Sequence, residues 1–294
     1  MAAQTVLGVI GGSGIYSIPG LEITAEHEIE TPFGKPSDAV AEAKVNGKKI
    51  FFLPRHGKHH SLLPSEVPYQ ANIWALKSLG VSHALAVSAV GIMQEEIKPG
   101  DFVVPDQIFD RTKSLRPSTF FGRGLVGHVA FADPFCEDFR KVAISAARNI
   151  GATVHGGGAY VCMEGPQFST RAESHFYRKT LSPSVIGMTA VPEAKLAREA
   201  EISYAMIATG TDYDCWHESE GDVDVESVLK VLKENAEKAR KAVFEVHKIL
   251  PSSTDWPSQS AAKFALITPA EQVPSKTKKD LGILYDKYWN SSSS

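Results

Sequence analysis

Apolar residues in this chain gather in short runs rich in β-branched side chains, at Thr5 to Ile10, Lys49 to Leu53, His83 to Val87, Phe102 to Val104, Tyr160 to Cys162 and Ile202 to Thr209. Runs of that length between turn formers predict buried strands. Between several of them the apolar positions recur with helical spacing, predicting helices at Tyr69 to Leu79, Pro134 to Ile150, Arg171 to Thr180, Val191 to Glu199 and, longest, Val223 to Leu250. Asp133-Pro134 reads as a cap followed by a first-turn proline, and Gly151 stands where a helix ending near Ile150 would stop. Alternating strands and helices imply an α/β fold with helices on both faces of a sheet. No internal repeat is visible. After Leu250 the chain turns polar from Pro251-Ser252-Ser253 onward, is interrupted by Phe264 to Ile267, and ends in four serines. A main domain over residues 1–251 is therefore expected, with residues 252–294 as a C-terminal arm that contributes to a subunit interface or stays partly disordered.

Composition narrows the function classes. With 294 residues and 43% hydrophobic content, the chain can bury one sizeable core. A net charge of -3 gives no broad basic field to attract nucleic acid or an anionic membrane, so any anion site must be local. Cys136, Cys162 and Cys215 are far apart and form no CxxC or Cys/His cluster, which argues against a disulfide framework or structural zinc and favours a reducing setting. No basic leader precedes a long apolar stretch, and no run approaches the ~20 apolar residues of a membrane span. A cytoplasmic protein is expected, with the nucleus as a further location.

Four segments carry candidate chemistry. Gly11-Gly12-Ser13-Gly14 follows a strand, and its glycines would let backbone N–H groups and the Ser13 hydroxyl approach an anion; a plain tight turn reads equally well. Neither the dinucleotide fingerprint nor the P-loop pattern is completed there. Arg55-His56-Gly57 also ends a strand, offering a planar fork for phosphate oxygens, with a solvated basic turn as the alternative. The nearby His59 and His60 lack a Cys or carboxylate at ligand spacing, so no metal is expected. Ser88-Ala89-Val90-Gly91 is read as terminating the run that begins at His83 and as supplying another hydroxyl. Several weak donors around one pocket are what capture of free phosphate requires.

The fourth segment is Thr211-Asp212-Tyr213-Asp214. If strand geometry continues, residues two apart face the same side and both carboxylates meet one spot. Like charges so close raise one pKa, placing a donor beside an acceptor. That pairing suits adenine, whose N7 accepts and whose 6-amino group donates; a helix-capping turn is the bland alternative, and the EF-hand calcium pattern is not met.

Together with Thr31 to Asp38, Tyr69-Gln70-Ala71-Asn72, Glu164-Gly165-Pro166-Gln167-Phe168 and Met188-Thr189-Ala190-Val191-Pro192-Glu193, these segments resemble the trimeric purine nucleoside phosphorylase superfamily from about Val6 to Leu250. Continuation as Thr211 to Trp216 resembles the branch acting on S-methyl-5'-thioadenosine. The resemblance implies a nucleoside phosphorylase fold with a mixed, twisted, partly barrel-like sheet. It implies a phosphate site of Ser13, Arg55, His56, Ser88, Ala89 and Thr189, with Met188 on the ribose and Asp212 and Asp214 on the base, Asp212 at N7. Tyr213 lies between them in the base-binding motif. It places the methylthio group against Val225, Val228, Leu229 and Phe168 and, across a subunit boundary, His128 and Ile267; Val225 and Ser169 stand at specificity positions. Ser13 and Ser88 occupy positions where relatives commonly carry threonine, and the stretch beyond Ala270 extends past the family's usual end. The implied enzyme is a homotrimeric pentosyltransferase with no cofactor, inorganic phosphate being a co-substrate, and its partners are a nucleoside and phosphate, with no nucleic acid and no membrane. The rivals are a 6-oxopurine nucleoside phosphorylase, a nucleosidase that uses water, and a non-catalytic sensor.

Overall fold

The computed structural model describes residues 3–12, 21–113, 115–217 and 225–290, without the side chains of 3, 225–230 and 232. In chain order its elements are β1 (Ala3–Gln4), β2 (Leu7–Gly11), β3 (Ile23–His27), β4 (Val40–Val45), β5 (Lys48–Pro54), α1 (Tyr69–Ser78), β6 (His83–Ile92), β7 (Phe102–Val104), β8 (Gln107–Arg111) and α2 (Glu137–Asn149). There follow β9 (Val154–Gly156), β10 (Ala159–Met163), α3 (Arg171–Leu181), β11 (Val185–Gly187), α4 (Ala190–Glu199), β12 (Ser203–Asp212), α5 (Val225–Ile249), β13 (Ser253–Thr254) and α6 (Ser275–Trp289).

Strand β6 is the trunk of a mixed sheet. Its first half runs parallel to β2 on one side, Leu7 facing His83, and to β12 on the other, Ser203 facing His83. Where β2 stops, β11 takes over that side antiparallel, Ile186 facing Gly91. The sheet path is β3-β4-β5-β2-β6-β11-β10-β8, and β12, β7 and β9 branch from β6. Strands β2, β7 and β11 are buried throughout because helices cover both faces, as their uninterrupted apolar runs require. Ile73 and Leu76 of α1, Leu196 of α4 and Leu281, Leu284 and Tyr285 of α6 pack on one side. Phe139 and Ala143 of α2 and Ala239, Val243 and Val246 of α5 pack on the other.

Three expectations change. Ser88 to Gly91 does not end its strand: with β12 still paired on one flank and β11 arriving on the other, β6 continues to Ile92 despite the small residues. Pro134 does not open α2. Phe135 stacks on Tyr204 at 5.8 Å and the Cys136 N–H donates to the Tyr204 carbonyl at 2.8 Å, so that stretch is held extended against β12 and the helix starts at Glu137. Strand geometry also fails beyond Asp212, because Asp214 is left-handed (φ 50°) and opens a 3₁₀ turn. Other expectations survive: the helix expected from Arg171 is α3, which the structure shows opened by a Thr170–Glu173 capping box, and Gly151, at φ 78°, follows α2 in the conformation a helix stop requires. Residues 252–290 close onto the same body: β13 pairs with β1, and the Trp74 indole donates to the Asp280 carbonyl at 3.0 Å.

Candidate active site

The C-terminal ends of β2, β5, β6 and β12 and the loop after β11 open into one cavity of about 390 Å³. At one end it is lined by Gly12, Arg55, His56, Ser88, Ala89 and Thr189, and at the other by Thr211, Asp212 and Asp214. Met188, Phe168, Met163 and Pro166 line it along with Ile186 and Gly187 of β11 and Asn235, Ala236 and Ala239 of α5.

The two carboxylates meet by a route other than strand alternation. The β12–β6 register shifts between Gly210 and Asp212, a bulge that re-aims Asp212, and the left-handed turn at Asp214 brings the second carboxylate round. Gly91 lies beside both: a Cβ there would stand 3.4 Å from Asp212 Oδ1 and from Asp214 Cβ. Asp212 Oδ1 accepts from the Asp214 N–H at 2.9 Å and Oδ2 from the Thr211 hydroxyl at 2.7 Å. Asp214 Oδ2 accepts from Ser174 at 2.5 Å. Both carboxyls are raised above their ordinary pKa, mainly by burial, while these donors pull the other way. The charge of Asp212 also raises Asp214, but less than burial does, so desolvation rather than like-charge repulsion is the principal cause.

The cationic end is largely occupied by the protein's own carboxylate. Arg55 Nε and Nη2 donate to Glu193 at 2.7 and 2.8 Å, Nη2 also reaches the Ile10 carbonyl and Nη1 the Val87 carbonyl, each at 3.3 Å. Of the guanidinium's donors, one Nη1 hydrogen is left for a ligand, rather than the whole fork expected. Burial alone would lower the Arg55 pKa, but Glu193 overrides it and keeps the group charged. His56 donates from Nδ1 to the Leu62 carbonyl at 2.8 Å, which leaves Nε2 as an acceptor in the neutral ring. Burial and then the Arg55 charge push its pKa down to about 4. The Ser88 and Thr189 hydroxyls lie 3.2 Å apart.

The remaining expected residues divide. Met188 and Phe168 line the cavity. Tyr213 does not; its ring stacks on His217 at 4.5 Å and meets Trp216 edge-on. Ser169 does not line it either, but its hydroxyl lowers the Asp214 pKa and donates to Met163 Sδ at 3.6 Å. His128 is exposed, away from this chain's cavity, on a segment whose backbone bonds to Ala265, and Ile267 is exposed beside it. Ser13 lies outside the described residues, as do the side chains of Val225, Val228 and Leu229 on α5. Among the described residues no cluster of His, Cys, Asp and Glu could hold a metal ion. Sequence reading missed Thr211 and Ser174, and it missed Glu193 as the partner of Arg55, although Glu193 closes a motif singled out for another reason.

Fold and site together define a nucleoside-cleaving class, and comparison with known proteins specifies it: residues 6–248 match the phosphorylase superfamily, to which the chain belongs. It is 50% identical over 285 residues to the S-methyl-5'-thioadenosine phosphorylase of Geobacter sulfurreducens, covering 97% of this chain and 99% of that protein. The corresponding protein of Gloeobacter violaceus is 51% identical over 290 residues, covering 97% and 96%. Among solved structures, a methylthioadenosine phosphorylase from an antarctic soil metagenomic library superposes with a TM-score of 0.90 at 46% identity, covering 96% of this chain and 99% of that one. The Schistosoma mansoni methylthioadenosine phosphorylase in complex with adenine gives 0.82 at 37% identity, covering 96% and 98%. Because the Geobacter match spans 97% of this chain, the stretch beyond Ala270 is shared with that relative and is not an extension past it, as had been expected.

Proposed function

We propose that this chain cleaves S-methyl-5'-thioadenosine with inorganic phosphate, giving adenine and 5-methylthioribose 1-phosphate. The observation that carries this reading is one cavity with a carboxylate pair at one end, Asp214 buried and Asp212 half-buried, and a set of anion donors at the other. Relatives bearing the name of that activity, about half identical over nearly the whole chain, support it.

In the reaction so read, a phosphate oxygen bonds to the anomeric carbon as the bond from that carbon to adenine N9 breaks, and the bonding electrons leave with the purine. A proton delivered at N7 neutralises the departing base, and a carboxyl held above its ordinary pKa is suited to give it. Asp212 is taken as the N7 partner, with Asp214 accepting from the 6-amino group. Ser88, Thr189, the spare Nη1 hydrogen of Arg55 and backbone near Gly12 and Ala89 orient phosphate, joined by Ser13. His56, neutral with Nε2 as acceptor, pairs with a phosphate that still carries a proton. Met188 covers the ribose; Phe168 with Val225, Val228 and Leu229 takes the methylthio group, and Ser169 tunes the site through Asp214. The chemistry calls for no cofactor. A homotrimer in which His128 and Ile267 of one copy close the pocket of the next accounts for their exposure here. Cytoplasmic residence, extending to the nucleus, suits three unpaired cysteines, two of them buried.

The test is adenine release from methylthioadenosine and from adenosine, and hypoxanthine release from inosine, each with and without phosphate. Phosphate-dependent cleavage of methylthioadenosine with inosine inert is expected. Turnover without phosphate would make the protein a nucleosidase, and preference for inosine would make it a 6-oxopurine enzyme.

A further inference from the structure

Arg116 lies off the cavity, belongs to none of the motifs above and is 3% exposed, yet it donates from all three of its guanidinium nitrogens. Nε donates to Glu164 Oε1 at 2.7 Å and Nη2 to the Glu164 carbonyl at 2.6 Å. Nη1 donates to the carbonyls of Met188 at 2.6 Å and Val191 at 2.8 Å, with the Tyr69 hydroxyl a weaker acceptor at 3.3 Å. Glu164 Oε2 in turn accepts from the Lys113 N–H at 2.6 Å. One planar fork thus fixes both carbonyls that bracket Thr189 and Ala190.

The turn is also tied to β10, where the Tyr160 hydroxyl accepts from the Thr189 N–H and Cys162 Sγ from the Val191 N–H, both at 3.4 Å. Val191 (φ −116°, ψ 131°) is non-helical inside α4, and Thr189, at the cap position, makes no side-chain cap bond. Its hydroxyl lies 3.2 Å from that of Ser88, at the anion end of the cavity. The Met188 sulfur sits so close to Gly165 that a Cβ there would be 2.5 Å from it, so the neighbour of Glu164 also sets where Met188 lies.

We infer that Arg116 is a positioning residue for the phosphate end of the site, acting through the Met188 and Val191 carbonyls to hold the Thr189 hydroxyl beside Ser88. This rests on the phosphorolytic reading of the cavity. Arg116→Lys keeps the charge, but three donors on one nitrogen cannot span Glu164 and two separate carbonyls. A misplacement near 1 Å can cost about a hundredfold, so a phosphate KM raised about tenfold or more is expected for a partial loss of register.

The experiment measures phosphate KM, nucleoside KM, kcat and thermal midpoint for the wild type, Arg116→Lys, Thr189→Ala and the double variant. The phosphate KM should rise more than the nucleoside KM, and Arg116→Lys should add little once Thr189 has lost its hydroxyl, because residues acting as a unit are non-additive. A folded Arg116→Lys with unchanged phosphate KM overturns the inference, as does the full loss repeated on top of Thr189→Ala. If Arg116→Lys is not recovered folded, Glu164→Gln, which keeps the side-chain size, is read by the same two criteria. Wild-type turnover without phosphate would count against the functional reading itself, a result separate from either of these.

Discussion

At one end of the cavity two carboxylates, Asp214 buried and Asp212 half-buried, have hydroxyls and backbone N–H groups as their donors; at the other a guanidinium is buried together with a carboxylate of its own. The same desolvation acts on both ends and has opposite chemical results. Without a counter-ion, burial raises Asp212 and Asp214 toward the protonated form, which makes that end a proton source. With Glu193 in place, Arg55 remains charged but is internally neutralised, and His56 beside it is neutral as well. An anion there meets hydroxyls, backbone N–H groups and a single spare guanidinium hydrogen rather than net positive charge. Such a subsite is selective through geometry more than through field strength.

Breaking the comparison at the acid end should have the largest effect. Asp212→Asn and Asp214→Asn are each expected to lower kcat/KM for methylthioadenosine by about 10²–10⁴, the range for loss of general acid catalysis, while phosphate KM moves little. Steady-state kinetics with each substrate varied separates these; equal shifts in both KM values would mean that the two ends do not act independently. Breaking it at the cationic end should show first in stability. Arg55 and Glu193 are 1% exposed each, and removing one partner of such a pair costs about 3–5 kcal/mol, so Glu193→Ala should lose that much in urea unfolding. A loss under about 1 kcal/mol would show that Arg55 does not depend on Glu193.

The finest test concerns pH. The acid form of Asp214 persists up to its raised pKa, and the Ser174 hydroxyl opposes that rise by stabilising the carboxylate. Ser174→Ala should therefore keep Asp214 protonated to higher pH, where it cannot accept from the 6-amino group, so the acid limb of the kcat profile moves upward. A shift downward, or none, would separate that limb from Asp214.

The strands β2, β5 and β7 and the helices α1 and α3 were legible because their apolar spacing is a local property. Strands β3 and β8 escaped notice because their exposed and half-buried positions, as in Ile23–His27 and Gln107–Arg111, leave no apolar run. The length of β6 depends on neighbours that arrive from β11 and β12, which no reading of Ser88 to Gly91 alone supplies. Within the site, Asp212 and Asp214 were found by a route the backbone does not take, since a bulge and a left-handed residue replace strand alternation. The Arg55–Glu193 pair joins residues 138 apart, and Ser174 reaches Asp214 across 40, so neither partnership leaves a local mark.

The central claim, that one end of this cavity protonates adenine while the other presents phosphate, is tested most directly by adenine release from methylthioadenosine with and without phosphate. The account predicts release that saturates with phosphate and stops without it, accompanied by one 5-methylthioribose 1-phosphate per adenine. Release at the same rate in phosphate-free buffer, with free methylthioribose as the product, would contradict it.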